Sequence, residues 1–83
     1  MKEMDCIEVI VEKEKYAKEG VHKGMQGWIC LDDCRNGYWL VNFPGYYDEA
    51  DIAEISIHED DMKYLPKCTN PRINEEIKEK FGD

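Results

Sequence analysis

Residues 28–43 read WICLDDCRNGYWLVNF, two apolar runs separated by a polar turn. The second run alternates with the period of two that is typical of a half-buried strand. Its apolar face carries Trp39, Val41 and Phe43. Asn36-Gly37 is the strongest two-residue hairpin signal in the chain, because both positions of such a turn need a positive φ angle. The stretch therefore predicts two antiparallel strands, residues 28–31 and 38–43.

Three further strands are predicted around this hairpin. Residues 5–13 (DCIEVIVEK) alternate in the same way, and residues 52–58 (IAEISIH) place Ala and Ile on one face. Residues 59–62 resemble a single 3₁₀ turn, and residues 63–66 a short last strand. The predicted core includes Val9, Ile29, Val41 and Ile55. Five short strands without βαβ spacing predict a mainly β fold, a small barrel whose closure leaves no sheet edge free to pair with other chains.

The last part of the chain predicts a helix. Asn70 is a suitable N-cap, and Pro71 suits the first helical position because its missing N–H costs nothing there. One apolar stripe follows on an otherwise charged helix: Ile73, Ile77 and Phe81. A helix this short is marginal alone in water, so we expect it to dock, preferably on its own barrel. The chain thus reads as one domain, with a barrel over residues 1–66 and a linker and helix over residues 67–83.

Three motifs, in this order, resemble those of SH3-like barrels. Residues 21–29 (VHKGMQGWI) match the x-x-G-x-x-G-x-I lead into the second strand, and residues 39–43 (WLVNF) match the W-x-V-x-F third strand. Residues 57–65 (IHEDDMKYL) are similar to the closing segment often written I-P-E-E-D-L-E-V-L. Over residues 5–66 the chain resembles small bacterial SH3-like barrel proteins of unknown function. The resemblance implies an SH3-like five-stranded barrel with a short C-terminal helix and brings no activity with it.

The resemblance does not extend to the binding sites of better-known barrels. Peptide-binding SH3 domains carry an A-L-Y-D-Y aromatic cluster in the first loop, whereas residues 14–20 (EKYAKEG) contain Tyr16 as their only aromatic residue. A polyproline groove is therefore not predicted. Nucleic-acid-binding barrels of similar shape carry basic strands, which this chain lacks.

The chain is strongly acidic. Its 83 residues include 19 Asp and Glu against 11 Lys and Arg, a formal net charge of -8, and the whole excess lies in residues 1–66. Such a surface repels phosphate backbones and anionic membranes and attracts basic proteins. We expect a basic protein partner, with neither nucleic acid nor membrane binding; the oligomeric state stays open. The first residues lack the apolar run of a signal peptide, and no stretch approaches a membrane span, which predicts a cytoplasmic protein.

Chemistry-bearing residues are few. In the cytoplasm the four cysteines should be reduced thiols, and the close pair Cys30 and Cys34 lacks the second pair that a structural zinc site needs. Acidic residues are so frequent in this chain that those near His22 and His58 arise by chance. We therefore expect both histidines to be structural or solvated. No phosphate-binding glycine loop, nucleophile elbow or zinc helix is present. We expect no enzyme, no metal and no cofactor; the alternative is a thiol- or metal-dependent regulatory protein using Cys30, Cys34 and Cys68.

Aromatic residues give the positive indication of function. If Ile29 and Trp39 face the core, alternation places Trp28 and Tyr38 on the outer face. The predicted binding residues are Trp28, Tyr38, Tyr46, Tyr47, Asp48, Glu49 and Asp51. Aromatic residues are enriched at binding hot spots, although the C-terminal helix would explain these positions equally well by covering them. The sequence thus predicts a non-catalytic protein-interaction module, for example an immunity or inhibitor protein that neutralises a cationic nuclease toxin.

Overall fold

The computed structural model describes residues 2–45, 51–67 and 69–82 of the chain. In chain order its elements are β1 (Cys6–Val9), α1 (Glu14–Ala17), β2 (Gln26–Ile29), β3 (Tyr38–Pro44), β4 (Asp51–His58), a 3₁₀ turn (Glu59–Asp61), β5 (Met62–Leu65) and α2 (Pro71–Phe81). The mainly β fold with one C-terminal helix is confirmed. The ends of the elements differ from those predicted by a few residues, most of all in β1, which is shorter. Neither helix in the described residues has the length and apolar character that crossing a membrane requires.

The five strands form one antiparallel sheet in the order β4–β3–β2–β1–β5. The predicted tight turn is present, with φ angles of 53° at Asn36 and 83° at Gly37. The flanking residues Arg35 and Tyr38 exchange both backbone hydrogen bonds, at 3.0 and 2.9 Å. β3 and β4 then pair from Tyr38 opposite His58 onward, which makes them the most extensively paired strands of the sheet.

The prediction of a closed barrel is wrong. β4 and β5 are the two edges of the sheet, and among the described residues they do not pair with each other. The 3₁₀ turn between them redirects the chain within three residues, so that β4 pairs with β3 while β5 pairs with β1. Tyr16, from the loop after β1, packs beside the β4 edge instead. Its side chain is 2% exposed, and its hydroxyl accepts a hydrogen bond from the backbone N–H of His58 at 3.1 Å.

The core lies on one face of this sheet. Val9, Ile29 and Val41 are fully buried, and Ile55 packs against them as a partly buried neighbour. Val41 lies directly opposite Ile55 across the β3–β4 pair, so the alternating apolar side chains of both strands lie on the same face of the sheet. The loop before β2 adds two more fully buried residues, Val21 and Met25. The core is small, as expected for an 83-residue chain, because a short chain buries only a limited share of its surface.

A buried polar residue anchors α2 to the sheet of its own chain. The β2–β3 register pairs Trp28 with Asn42, and extending it by two positions would bring Gln26 opposite Pro44. Pro44 has no N–H to donate to β2, and the ladder stops there. The fully buried side chain of Asn74 takes its place. Its Oδ1 accepts from the N–H of Gln26 at 2.7 Å, and its Nδ2 donates to the carbonyl oxygens of Gln26 at 2.7 Å and Pro44 at 3.0 Å.

The apolar stripe of α2 completes this contact. Ile77 packs against the core, and Phe81 stacks on the ring of His22 with centroids 3.9 Å apart. His22 is itself buried, with Nδ1 2.7 Å from a carboxylate oxygen of Glu12. Because Asn74 reaches the Pro44 end of β3, about 20 Å of extended strand separate that contact from Tyr38. Tyr38 is therefore not covered by the helix.

Candidate binding surface

The outer face of the sheet carries two of the predicted binding residues, Trp28 and Tyr38. Both side chains are half-buried, while their neighbours Ile29 and Trp39 face the core. Trp28 lies opposite Asn42, and Tyr38 lies four positions earlier on β3. Four residues of extended strand span about 13 Å. The two aromatic residues therefore occupy opposite ends of the face and do not form one patch.

The segment between β3 and β4 contains most of the other predicted residues. Outside the described residues lie Tyr46, Tyr47, Asp48 and Glu49. Asp51, the first residue of β4, is exposed, and its Oδ2 accepts a hydrogen bond from Nδ2 of Asn42 at 2.8 Å. Asp51 therefore lies at the Trp28 end of the face, where the sheet itself positions its carboxylate.

At the other end of the face, Tyr38 belongs to a group of side chains that are distant in sequence. We call this group the Tyr38 cluster, and its members are Lys15, Tyr16, Tyr38, His58 and Asp61. The ring of His58 meets the Tyr38 ring edge-on, with centroids 5.0 Å apart and an interplanar angle of 82°. Lys15 Nζ donates a hydrogen bond to the Tyr38 hydroxyl at 2.7 Å, which raises the pKa of Lys15. The same Nζ lies 4.9 Å from the ring centroid of Tyr38 and 5.2 Å from that of Tyr16.

Asp61 holds the buried side of the cluster. It is 5% exposed, and its Oδ2 accepts hydrogen bonds from the Tyr16 hydroxyl at 2.7 Å and from Lys13 Nζ at 2.9 Å. Burial by itself raises the pKa of Asp61, but these two hydrogen bonds more than offset it, so the pKa is lowered. Burial, together with the bond to Asp61, raises the pKa of Tyr16. The cluster therefore has an ionised carboxylate inside and a neutral phenol beside it.

The hairpin turn makes room for His58. A Cβ atom at Gly37 would lie 2.6 Å from Nε2 of His58, so a side chain there would push the imidazole away from Tyr38. The backbone N–H of Glu59 donates to the carbonyl oxygen of Gly37 at 2.8 Å, which ties the 3₁₀ turn to the hairpin. His58 also caps that turn, because its Nδ1 accepts from the N–H of Asp60 at 3.1 Å. The backbone thus fixes the position of the ring from two sides.

Negative charge is concentrated in one part of the sequence, which includes β3, β4 and the 3₁₀ turn. Residues 36–62, which we call the acidic segment, contain no Lys or Arg and seven acids: Asp48, Glu49, Asp51, Glu54, Glu59, Asp60 and Asp61. The other 56 residues hold 12 acids and 11 bases, so their charges nearly balance. Four of the acids are exposed in the described part of the segment: Asp51, Glu54, Glu59 and Asp60. Most of the charge excess of residues 1–66 therefore lies in this segment, which a shorter counting window locates from the sequence alone.

The two cysteines of the close pair, Cys30 and Cys34, contact different carboxylates. Cys30 Sγ donates to Oε1 of Glu54 at 3.3 Å, whereas Cys34 Sγ lies 3.8 Å from Oε2 of Glu59. Burial and the adjacent Glu54 carboxylate raise the pKa of the Cys30 thiol to about 11. Within residues 2–45, 51–67 and 69–82, no three His, Cys, Asp or Glu side chains come together as a metal site; Cys68 lies outside these residues. A protonated Cys30 is a poor nucleophile near neutral pH.

A groove of about 290 Å³ lies elsewhere, between the end of β5, the linker and α2. Its walls are formed by Gln26, Leu65, Pro66, Lys67, Asn70 and Ile73. None of these residues belongs to the predicted binding residues or to the Tyr38 cluster. The groove is at the lower limit of a small-molecule site, and its polar groups do not converge on one point, since Asn70 N–H and Gln26 Oε1 bond to each other at 2.9 Å.

Comparison with protein-family models, with curated proteins and with solved structures finds no match for this chain. Function is therefore inferred from the charge and geometry of the outer face alone.

Proposed function

We propose that this protein is a non-catalytic interaction module that binds a basic protein partner through the acidic segment and the Tyr38 cluster. The observation that carries the proposal is the charge distribution. Seven of the 19 acids fall in residues 36–62 with no Lys or Arg among them. Of the exposed ones, Asp60 lies beside the half-buried aromatic pair Tyr38 and His58, whereas Asp51 and Glu54 lie toward the Trp28 end of the same face. A face that combines acids with aromatic residues suits a basic protein surface, because charge steers the encounter while aromatic contact supplies the affinity.

The extensive pairing of β3 with β4 in the described part of this surface supports the same function. β3 and β4 pair along nearly their whole length, and Glu59 N–H binds Gly37 O across the end of the hairpin. Little conformational entropy is then lost at the surface when a partner binds. An immunity or inhibitor protein that neutralises a cationic nuclease is a concrete version of this function, since such a partner would present the matching positive charge.

A non-catalytic role also agrees with how the polar groups are used. The Tyr16 hydroxyl donates to Asp61, Asp61 accepts a second bond from Lys13, and the Cys30 thiol is protonated against Glu54. These groups satisfy one another instead of facing a common point where a substrate would react.

A cationic probe tests the proposal. Hexalysine is titrated into the full chain and followed by amide NMR at about 50 and about 200 mM salt, where binding through ion pairs should weaken steeply. The double variant Glu54→Gln, Asp60→Asn removes two charges from the acidic segment. The matched control Glu76→Gln, Glu79→Gln removes the same number of charges from exposed positions of α2.

We expect the shifts to map to the acidic segment and the first double variant to bind several-fold more weakly than the control. Equal weakening in both double variants, or shifts spread over the whole surface, would overturn the proposal, because binding would then follow net charge alone.

A further inference from the structure

We infer that the Tyr16 and Tyr38 rings form a seat for a lysine ammonium of the partner, and that Lys15 is an internal occupant which the partner's lysine displaces. This inference rests on the proposed function and assigns it a specific point of contact. Its basis is that the seat already holds a primary ammonium, in a geometry that a second lysine would reproduce.

The seat offers an ammonium two kinds of attraction. The Nζ of Lys15 lies 5.2 Å from the Tyr16 ring centroid, within the distance of about 6 Å at which a ring quadrupole attracts a cation. The Tyr38 hydroxyl adds an acceptor 2.7 Å away, so the Nζ lies on the hydroxyl side of the Tyr38 ring, 4.9 Å from its centroid. A compact ammonium with several donors matches one ring and a single acceptor, whereas a guanidinium needs two parallel acceptors to use its planar fork.

The two tyrosine rings are held in place by contacts of their own, whereas the Lys15 side chain is exposed. Tyr16 is 2% exposed, and its hydroxyl is bonded both to Asp61 and to the backbone N–H of His58. The His58 ring supports Tyr38 edge-on at 5.0 Å. Lys15, in contrast, is exposed on α1, a helix of only four residues, and its ammonium borders solvent. Exchanging Lys15 for a partner's lysine therefore leaves the rings and their supports in place.

The charges around the seat favour a cation without binding it permanently. Asp61 is the nearest anion behind the rings, but Lys13 Nζ already bonds to it at 2.9 Å. His58 is the other titratable group in contact with Tyr38. Asp60, an exposed acid of the 3₁₀ turn, has its Oδ2 3.7 Å from Nδ1 of His58 and is the negative charge that an incoming lysine would meet beside the rings.

The test compares two charge-equivalent variants. Lys15→Met removes the ammonium from the seat and keeps most of the aliphatic stem, and Lys18→Met removes the same charge from a neighbouring exposed position. Hexalysine is titrated into each full-length variant, with side-chain NMR of Tyr38 and His58 as the readout. We expect Lys15→Met to bind about fivefold more tightly than Lys18→Met, which corresponds to about 1 kcal/mol. Adding Tyr38→Phe, which removes only the hydroxyl acceptor, should reverse most of that gain.

The possible outcomes distinguish failure of the lysine seat from failure of the proposed function. Hexalysine shifts in the acidic segment, with equal affinity of Lys15→Met and Lys18→Met, would overturn the seat and leave the proposed function intact. Weaker binding by Lys15→Met would show that Lys15 is a structural brace and would overturn the seat as well. An absence of hexalysine binding to the acidic segment in any variant would overturn both.

Discussion

Replacing Asn74 with alanine should cost more stability than an alanine at any other position of α2. The Asn74 carboxamide makes three hydrogen bonds at 2.7, 2.7 and 3.0 Å, and the side chain is fully buried. It bridges Gln26 and Pro44 at the point where the β2–β3 ladder stops. Asn74→Ala leaves one N–H and two carbonyl oxygens of those strands without partners in a buried position.

The size of the effect follows from these three bonds. A hydrogen bond contributes about 1 kcal/mol net, and a buried group left without a partner costs more than that. Three groups together give about 3 kcal/mol, reduced if α2 loosens and admits water. A chain of this length has a total stability of about 4–12 kcal/mol, so the loss is a large share of it. It corresponds to a fall in Tm of about 15 °C.

Thermal and urea unfolding of the full chain, followed by circular dichroism, measure this loss. Glu79→Ala is the control, because Glu79 is exposed on the same helix and its removal should change stability by less than about 0.5 kcal/mol. Asn74→Asp keeps the acceptor for Gln26 N–H but places a carboxylate against two carbonyl oxygens, so it should be no milder than alanine. A loss below about 1 kcal/mol for Asn74→Ala would refute the view that a polar anchor, more than the apolar stripe, holds α2.

Three further predictions concern the hairpin, the buried acid and the half-buried thiol. Gly37→Ala should lower the free energy of unfolding in urea by about 1–2 kcal/mol and shift the NMR resonances of His58, because the added Cβ would contact its ring. Gly82→Ala is the control, because Gly82 has a similarly positive φ angle of 75° but a Cβ there would meet no atom within 4 Å. It should cost less stability and leave the His58 resonances unchanged. The lowered pKa of Asp61 means that its ionised form stabilises the fold above the pKa of about 4 of the unfolded chain and that this contribution disappears as the pH falls through the folded-state pKa. Asp61→Asn should therefore flatten stability against pH in that acidic range, and an unchanged slope would contradict the assignment. Cys30, with a pKa of about 11, should be alkylated by iodoacetamide near pH 8 much more slowly in the folded chain than in urea, and equal rates by peptide mass spectrometry would argue against its bond to a carboxylate.

Local patterns predicted the elements of the fold well. Asn36-Gly37 adopts the two positive φ angles that its turn type needs, and Asn70 caps α2 through a bond from the N–H of Arg72 to its Oδ1 at 3.0 Å. These features depend on a few consecutive residues. Barrel closure depends instead on the path of the chain through the 3₁₀ turn, and the five-strand pattern does not determine that path. The side chain of Tyr16 packs where strand pairing was expected.

Residues that join distant segments were not predictable from period-two alternation. Alternation places Tyr38 on the outer face, but its contact with Lys15 spans 23 positions. Its contact with His58 depends on the β3–β4 register, which period-two alternation alone does not fix. Asn74 looked like one polar residue among many on a charged helix. Its role follows from Pro44, whose missing N–H is visible in the sequence but whose position opposite Gln26 is not.

Backbone hydrogen bonds hold the hairpin that carries the Tyr38 cluster, and this makes the exposed side chains on it replaceable. Arg35 and Tyr38 exchange two backbone bonds, Glu59 N–H binds Gly37 O, and none of these bonds involves the exposed side chains of the outer face. Changing the surface residues should then alter what binds while leaving the hairpin in place. A surface that tolerates substitution without unfolding suits a protein that must match one basic partner, because its charges and rings are free to follow changes in that partner.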